Sequence, residues 1–222
     1  PMDGAIQALL ENGYSIDVMN EEALMERMAD YPVVVIPEQD GLPDDFIAAA
    51  VRYVNQGGKV LLSGGRVPQE WPAEFTGAEA GEIRAGQTYY IPAEGGCVPI
   101  SGLWCATKPR TAKELGRLLY QQEPDLNQTE FSSATLHTLG KGAVLVIPGP
   151  IFQSYFQAHY PRIREFVGTC LQALDVGDRL IRREGPAWID VAARKKGGRL
   201  LIQLTNLASS NPLSPNRHMV ED

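Results

Sequence analysis

Cysteine is scarce in this chain. Cys97, Cys105 and Cys170 are too few and too widely spaced to form a disulfide framework or a zinc site. Cys97 and Cys105 are either free thiols or, in an oxidising compartment, a pair, so the compartment stays open. Histidine is just as sparse. His137, His159 and His218 are scattered, and neither His-x-x-x-His nor Cys-x-x-Cys occurs, so no metal is expected. Positive charge is in deficit, with 20 Lys and Arg against 27 Asp and Glu and a formal net charge of -7. Such a chain repels phosphate backbones, which argues against nucleic acid as a partner. The one basic cluster, Arg194, Lys195, Lys196 and Arg199 around a Gly-Gly pair, reads as a solvated hairpin tip. No apolar run approaches the roughly 18 residues that span a bilayer. The opening PMDGAIQALLENG lacks the basic region, long apolar region and cleavage pattern of an export signal. No membrane partner is expected. G-x-G-x-x-G, the P-loop and G-x-S-x-G are also missing, which removes the common signatures of a nucleotide cofactor and of a hydrolase elbow.

What remains is an α/β pattern. With 222 residues, 44% apolar and 21% charged, the chain has enough for one domain of ordinary size and a small appendage. Ile6, Leu9 and Leu10 mark a first helix stopped at Gly13. Ser15 to Met19 reads as a short strand. Asn20 is an N-cap for a helix carrying Leu24, Met25 and Met28. Tyr31 to Ile36 is a continuous Val-rich run, the pattern of a parallel strand buried on both faces. Pro43 and Asp44 open the clearest helix, with Phe46, Ile47, Ala50, Val51 and Val54 on one face and Gly57-Gly58 as its stop. Lys59 to Leu62 is a second buried strand, ending at Ser63-Gly64-Gly65. Strand, helix and strand with short connections imply right-handed parallel crossovers.

Arg66 to Ala134 is rich in Gly and Pro and lacks a clear period; it is expected to be an irregular insertion with a short helix over Thr111 to Tyr120. Regularity returns with a turn at Leu139 to Gly142, a strand over Ala143 to Ile147, and a helix whose face is Ile163, Phe166, Val167, Cys170, Leu171 and Leu174. Beyond Asp178, Ala187 to Ala193 and Arg199 to Leu204 flank Lys195-Lys196-Gly197-Gly198 as a hairpin. The expected division is residues 1–178 as the α/β domain and 179–222 as the start of a β-rich unit and tail. A doubly wound domain opens on a strand, whereas this chain opens on a helix and closes on an incomplete β-unit. Both ends look cut, as in a piece of a longer polypeptide.

The strings AIQALLENGYSIDV, YPVVVIPEQ and LPDDFIAAAVRYVNQGGKVLLSGG are similar to class I glutamine amidotransferase-like domains. That resemblance implies a flavodoxin-like parallel sheet with helices on both faces, and a catalytic Cys after the strand that is here Lys59 to Leu62. Ser63 stands in that place, and the strand over Ala143 to Ile147 leads into PGPIFQSYF without a His. ENGYSIDVMNEEAL, VNQGGKVLLSGG, GKGAVLVIPGPIFQSYFQAHYPRIREF and GGRLLIQLTNL further resemble the β-galactosidase trimerisation-like domain of glycoside hydrolases, over about Ala5–Leu207 and weakly over Arg66 to Ala134. The resemblance implies a domain without the triad. It would follow an upstream catalytic barrel, a possible homo-oligomer would form, and carbohydrate would be met only through the parent enzyme.

The candidate cleft residues are Glu38, Asp40, Ser63, Gly64, Gly65 and His159. Glu38 and Asp40 lie at a strand's carboxyl end, where α/β ligand sites form. They are the best carboxylate pair for glycoside hydrolysis, but acidic residues there also cap helices, and the cap reading is preferred. Ser63 or a cysteine with His159 is the alternative, an autonomous amidotransferase or hydrolase, although a serine needs a base within reach. Cys170, on an apolar stripe, reads as structural. Trp71, Tyr89, Tyr90 and Trp104 are the candidate contact surface; in such a segment aromatics stack on sugars, fill a local core or form an interface. The expectation is a non-catalytic accessory or oligomerisation domain of a β-galactosidase-like enzyme, with a sugar-binding module as a third possibility.

Overall fold

The computed structural model describes residues 1–93, 96–122, 128–177, 185 and 189–206. It is a mixed α/β protein with one seven-stranded sheet and a separate two-stranded one. Three parallel strands form one end of the large sheet: β1 (Val33–Pro37), β2 (Lys59–Ser63) and β7 (Gly142–Ile147). Each is a short apolar run, as strands covered on both faces must be. Alternation sends Leu61, Leu145 and Ile147 into one core and Val34, Ile36, Val60, Leu62, Val144 and Val146 into the other. Helices cover both faces. Beside the first core lie α1 (Met2–Glu11), α6 (Ile151–Ala158) and α7 (Pro161–Ala173). Against the second lie α2 (Glu21–Arg27), α3 (Asp44–Asn55) and the single turns α4 (Val67–Glu70) and α5 (Ala73–Thr76). Asn20 caps α2 as expected, its side chain accepting from Ala23 N–H at 3.0 Å.

Three expectations are corrected. Arg66 to Ala134 is not an irregular insertion. It builds β3 (Ala78–Ala93), β4 (Gly96–Pro109), β5 (Lys113–Leu119) and much of β6 (Gln128–Leu139), which continue the sheet antiparallel in the order β1-β2-β7-β6-β5-β3-β4. The sheet is therefore mixed rather than parallel throughout. The helix expected over Thr111 to Tyr120 is the strand β5, paired with β6. Leu115, Leu118 and Leu119 have helical spacing, but Gly116 weakens a helix and the neighbouring strand supplies the backbone partners. The strand expected at Ser15 to Met19 has no ladder partner among the described residues.

The carboxyl-terminal hairpin is present as β8 (Ile189–Lys196) and β9 (Arg199–Asn206), with Lys196 opposite Arg199 across Gly197-Gly198. Its basic tip is exposed, as expected. The expected strand start at Ala187, the boundary at Asp178, and the tail with His218 lie outside the described residues.

Candidate functional site

The carboxyl ends of β1, β2 and β7 meet where an open α/β sheet holds its ligands. After β2 the chain turns to one face and after β7 to the other, so the switch point falls between Ser63-Gly64-Gly65 and Pro148-Gly149-Pro150. That crevice is filled by the chain itself. The β3–β4 ribbon bends back over it, and Cys105 N–H donates to the Pro148 carbonyl at 3.0 Å. Gly65 lies so close to Leu103 that a Cβ there would fall on the Leu103 carbonyl. A Cβ on Gly149 would fall on the Trp104 ring. Glycine at both positions lets the ribbon close down onto the strand ends.

Glu38 follows β1 in the left-handed region, with φ 53°, which costs a non-glycine residue roughly 1 kcal/mol. Its backbone N–H donates to Ser63 O at 2.8 Å. Its carboxylate accepts from Phe152 N–H at 2.6 Å and from Gln153 N–H at 3.1 Å. Glu38 is thus the cap of α6, placed on unpaired amides at the positive end of that helix. Burial pushes its carboxyl above the usual range, and the α6 amides pull the other way. Asp40 points elsewhere, toward Arg66 Nε at 3.5 Å, and is half exposed. Partial burial and then Glu70 raise its carboxyl, against Arg66. The two carboxylates therefore serve different partners.

Ser63 is fully buried, and its hydroxyl has no hydrogen-bond partner among the described residues. His159 ends α6 in the left-handed conformation, φ 51°. Its Nε2 lies 3.0 Å from Glu11 Oε1 and 3.2 Å from the Tyr155 hydroxyl. Glu38 holds the start of α6 and His159 its end, seven residues or roughly 10 Å apart along the axis. The fold does not bring Ser63 and His159 into a hydrogen bond.

The structure adds a cluster that sequence reasoning missed. Glu11, on the last turn of α1, accepts from the Tyr155 hydroxyl, contacts His159 and lies 3.6 Å from Arg164. It ties α1, α6 and α7 together out of water. The available signal was an acid in the last turn of a helix, where the dipole opposes it, and the i, i+4 spacing of Tyr155 and His159. His137 bonds Phe75 O at 3.0 Å and Thr111 Oγ1 at 3.2 Å. Among the described residues no three His, Cys, Asp or Glu side chains gather as a metal site.

Trp71, Tyr89 and Trp104 are interior rather than surface residues, each no more than 3% exposed. Trp71 stacks on Phe75, and Tyr89 meets Trp104 edge-on at 5.9 Å. Tyr90 is half-buried opposite Pro99. Of the expectations for these aromatics, local core is the one their burial fits: Tyr89, Tyr90 and Trp104 lie on strands that continue the main sheet, and Trp71 packs into the core between α4 and α5.

No protein-family model matches the sequence, and no curated protein matches it. Solved structures do share the fold. A GH42 β-galactosidase from G. stearothermophilus is 18% identical over 92% of this chain, with a TM-score of 0.68. Alpha-L-fucosidase isoenzyme 2 from Paenibacillus thiaminolyticus is 19% identical over 99% of the chain, with a TM-score of 0.75. This chain spans 30% and 36% of those two enzymes. A cytoplasmic protein from Salmonella typhimurium LT2 is 14% identical over 78% of this chain and 86% of its own, with a TM-score of 0.58. At such identities the likeness establishes the fold alone.

Proposed function

We propose that this chain is a non-catalytic accessory domain of a multidomain glycoside hydrolase, of flavodoxin-like descent, and that it supports contacts between domains or subunits. The carrying observation is the filled crevice. Leu103, Trp104 and Cys105 occupy the strand ends where an α/β enzyme of this kind would hold substrate. The polar groups nearby hold helices: Glu38 caps α6, and His159 sits in the Glu11 cluster. The match to about a third of a β-galactosidase and of a fucosidase supports the same reading. In it, an upstream barrel carries the catalytic carboxylates, residues 1–178 form the accessory domain, and the β8–β9 hairpin begins a further β-rich unit. Carbohydrate is met through the parent enzyme, and homo-oligomers of the trimerisation type are one use of the domain's surface.

The second reading, a free-standing amidotransferase or hydrolase using Ser63 or a cysteine with His159, draws on the likeness to a Salmonella protein of nearly the same extent. It is weakened by the separation of Ser63 from His159. The reading frame around this segment discriminates between the two. An upstream frame encoding repeated strand–helix units with acidic residues at strand ends is the expected result. A start codon directly before Pro1 and a stop directly after Asp222 would contradict it.

A further inference from the structure

A groove runs along the free edge of the large sheet. Among the described residues, β1 pairs only with β2. Glu38 N–H points toward β2, where it donates to Ser63 O. Backbone groups alternate sides along a strand. Val34 and Ile36 therefore face β2 with their main-chain groups, and the N–H and C=O of Val33 and Val35 face the groove. Pro37 falls on the same outward side, where a missing N–H costs no existing ladder bond. The side chains of β1 are nonetheless covered on both faces, Val33 and Val35 by one core and Val34 and Ile36 by the other. It is an interior strand in its faces and an edge strand in its backbone.

The groove holds about 210 Å³ and is walled by β1, by Ala5 and Leu9 of α1, and by segment 14–19, which is neither helix nor ladder strand, with Ile16 and Val18. The path of the chain says what fits there. The amino end of α1 lies at the carboxyl end of β1. Gly4 packs so tightly that a Cβ would fall on the Phe152 carbonyl, and Phe152 N–H donates to Glu38, the residue after β1. From there α1 runs back, and segment 14–19 returns alongside the groove. Helix α2 carries that segment to β1 across the face that α3 also covers, whereas α1 lies on the opposite face. Right-handed crossovers then fix the order. A step through α2 moves toward β1, so a step through α1 moves away from it. A strand that feeds α1 belongs between β1 and segment 14–19, which is where the groove lies.

We propose that the groove seats a further strand: an extended apolar length of polypeptide that continues directly into α1, runs parallel to β1 and hydrogen-bonds to Val33 and Val35. It must be apolar on both sides, because helices cover both faces at this edge. An accessory domain and a free-standing protein would need it equally.

The test compares the chain beginning at Pro1 with one carrying Lys-Val-Val-Val-Ile-Ser-Asp ahead of Pro1; a Gly-Ser extension of the same length controls for added residues. The strand extension is expected to raise the melting temperature by roughly 4 °C or more. It should also slow exchange of the Val33 and Val35 amides by about tenfold or more. Val35→Pro, which deletes an outward N–H and is tolerated at an edge, should cancel both gains while leaving the shorter chain folded. Identical melting and exchange in the three chains would overturn the proposal. Equal protection by the same heptapeptide added free would assign the groove to another molecule's strand. A dimer of the Pro1 chain that Val35→Pro dissociates would assign it to a second copy. Either result overturns it as well.

Discussion

At the residue scale the fold uses its polar groups for support. Glu38 shows this most clearly. An acid at a strand's carboxyl end is legible in sequence as a helix partner, but the helix it serves begins more than a hundred residues later, at Ile151. Sequence spacing cannot show that pairing. Glu38→Ala is expected to lower stability by about 1 kcal/mol through loss of the α6 cap, with Glu38→Gln retaining most of it, as chemical denaturation will measure. The pH dependence follows from burial. The folded-state pKa of Glu38 is raised, so the folded chain holds this proton more tightly than the unfolded chain does. Its contribution is present at acid pH and is lost as pH rises from the ordinary carboxylate range through the folded value. Glu38→Gln should flatten that part of the stability profile; an unchanged slope would exclude Glu38 as its source.

The thiols form a second residue-scale case. Cys97 and Cys105 lie on one strand, β4, eight residues or roughly 26 Å apart, so the alternative of a pair is removed by geometry. All three cysteines are free. Burial pushes Cys170 up to about 12 and also raises Cys105. A native thiol titration with a neutral disulfide reagent should find Cys97 reacting first and Cys170 reacting only on unfolding. Fast reaction of Cys170 would mean that α7 is not packed as described.

At the element scale, legibility tracks how completely an element is buried. The strands β1, β2 and β7 and the helices α3 and α7 carry unbroken apolar patterns, and each lies within a residue or two of its expected place. The β3–β4 ribbon was not legible, for two reasons. Register shifts between Ala80 and Ile83 and between Arg84 and Gln87 interrupt the alternation. Pro92, Pro99 and Gly102 within the strands read as loop residues. Yet this ribbon decides the site, because its Trp104 fills the crevice against Gly149. Trp104→Ala should cost about 3–5 kcal/mol. A variant of near-native stability would show that the ring is not core.

At the scale of the whole molecule, the sheet grows from three parallel strands into an antiparallel extension. That extension closes the place where such folds bind ligands. The groove beside Val33 and Val35 was not legible in the sequence, because an apolar run such as β1 does not show on which side its backbone is paired. The candidate site was legible as a position and not as a role. Ser63, Glu38 and His159 all stand out in the sequence, but only the three-dimensional path shows them serving burial, a helix cap and a buried polar cluster.

The most direct measurement is turnover by the purified 222-residue chain of glutamine, p-nitrophenyl acetate, and the nitrophenyl β-galactoside and α-L-fucoside, alongside Ser63→Ala and His159→Ala. A filled crevice predicts no turnover above buffer for any of the three proteins. Turnover by the parent chain that either substitution abolishes would contradict the accessory-domain account.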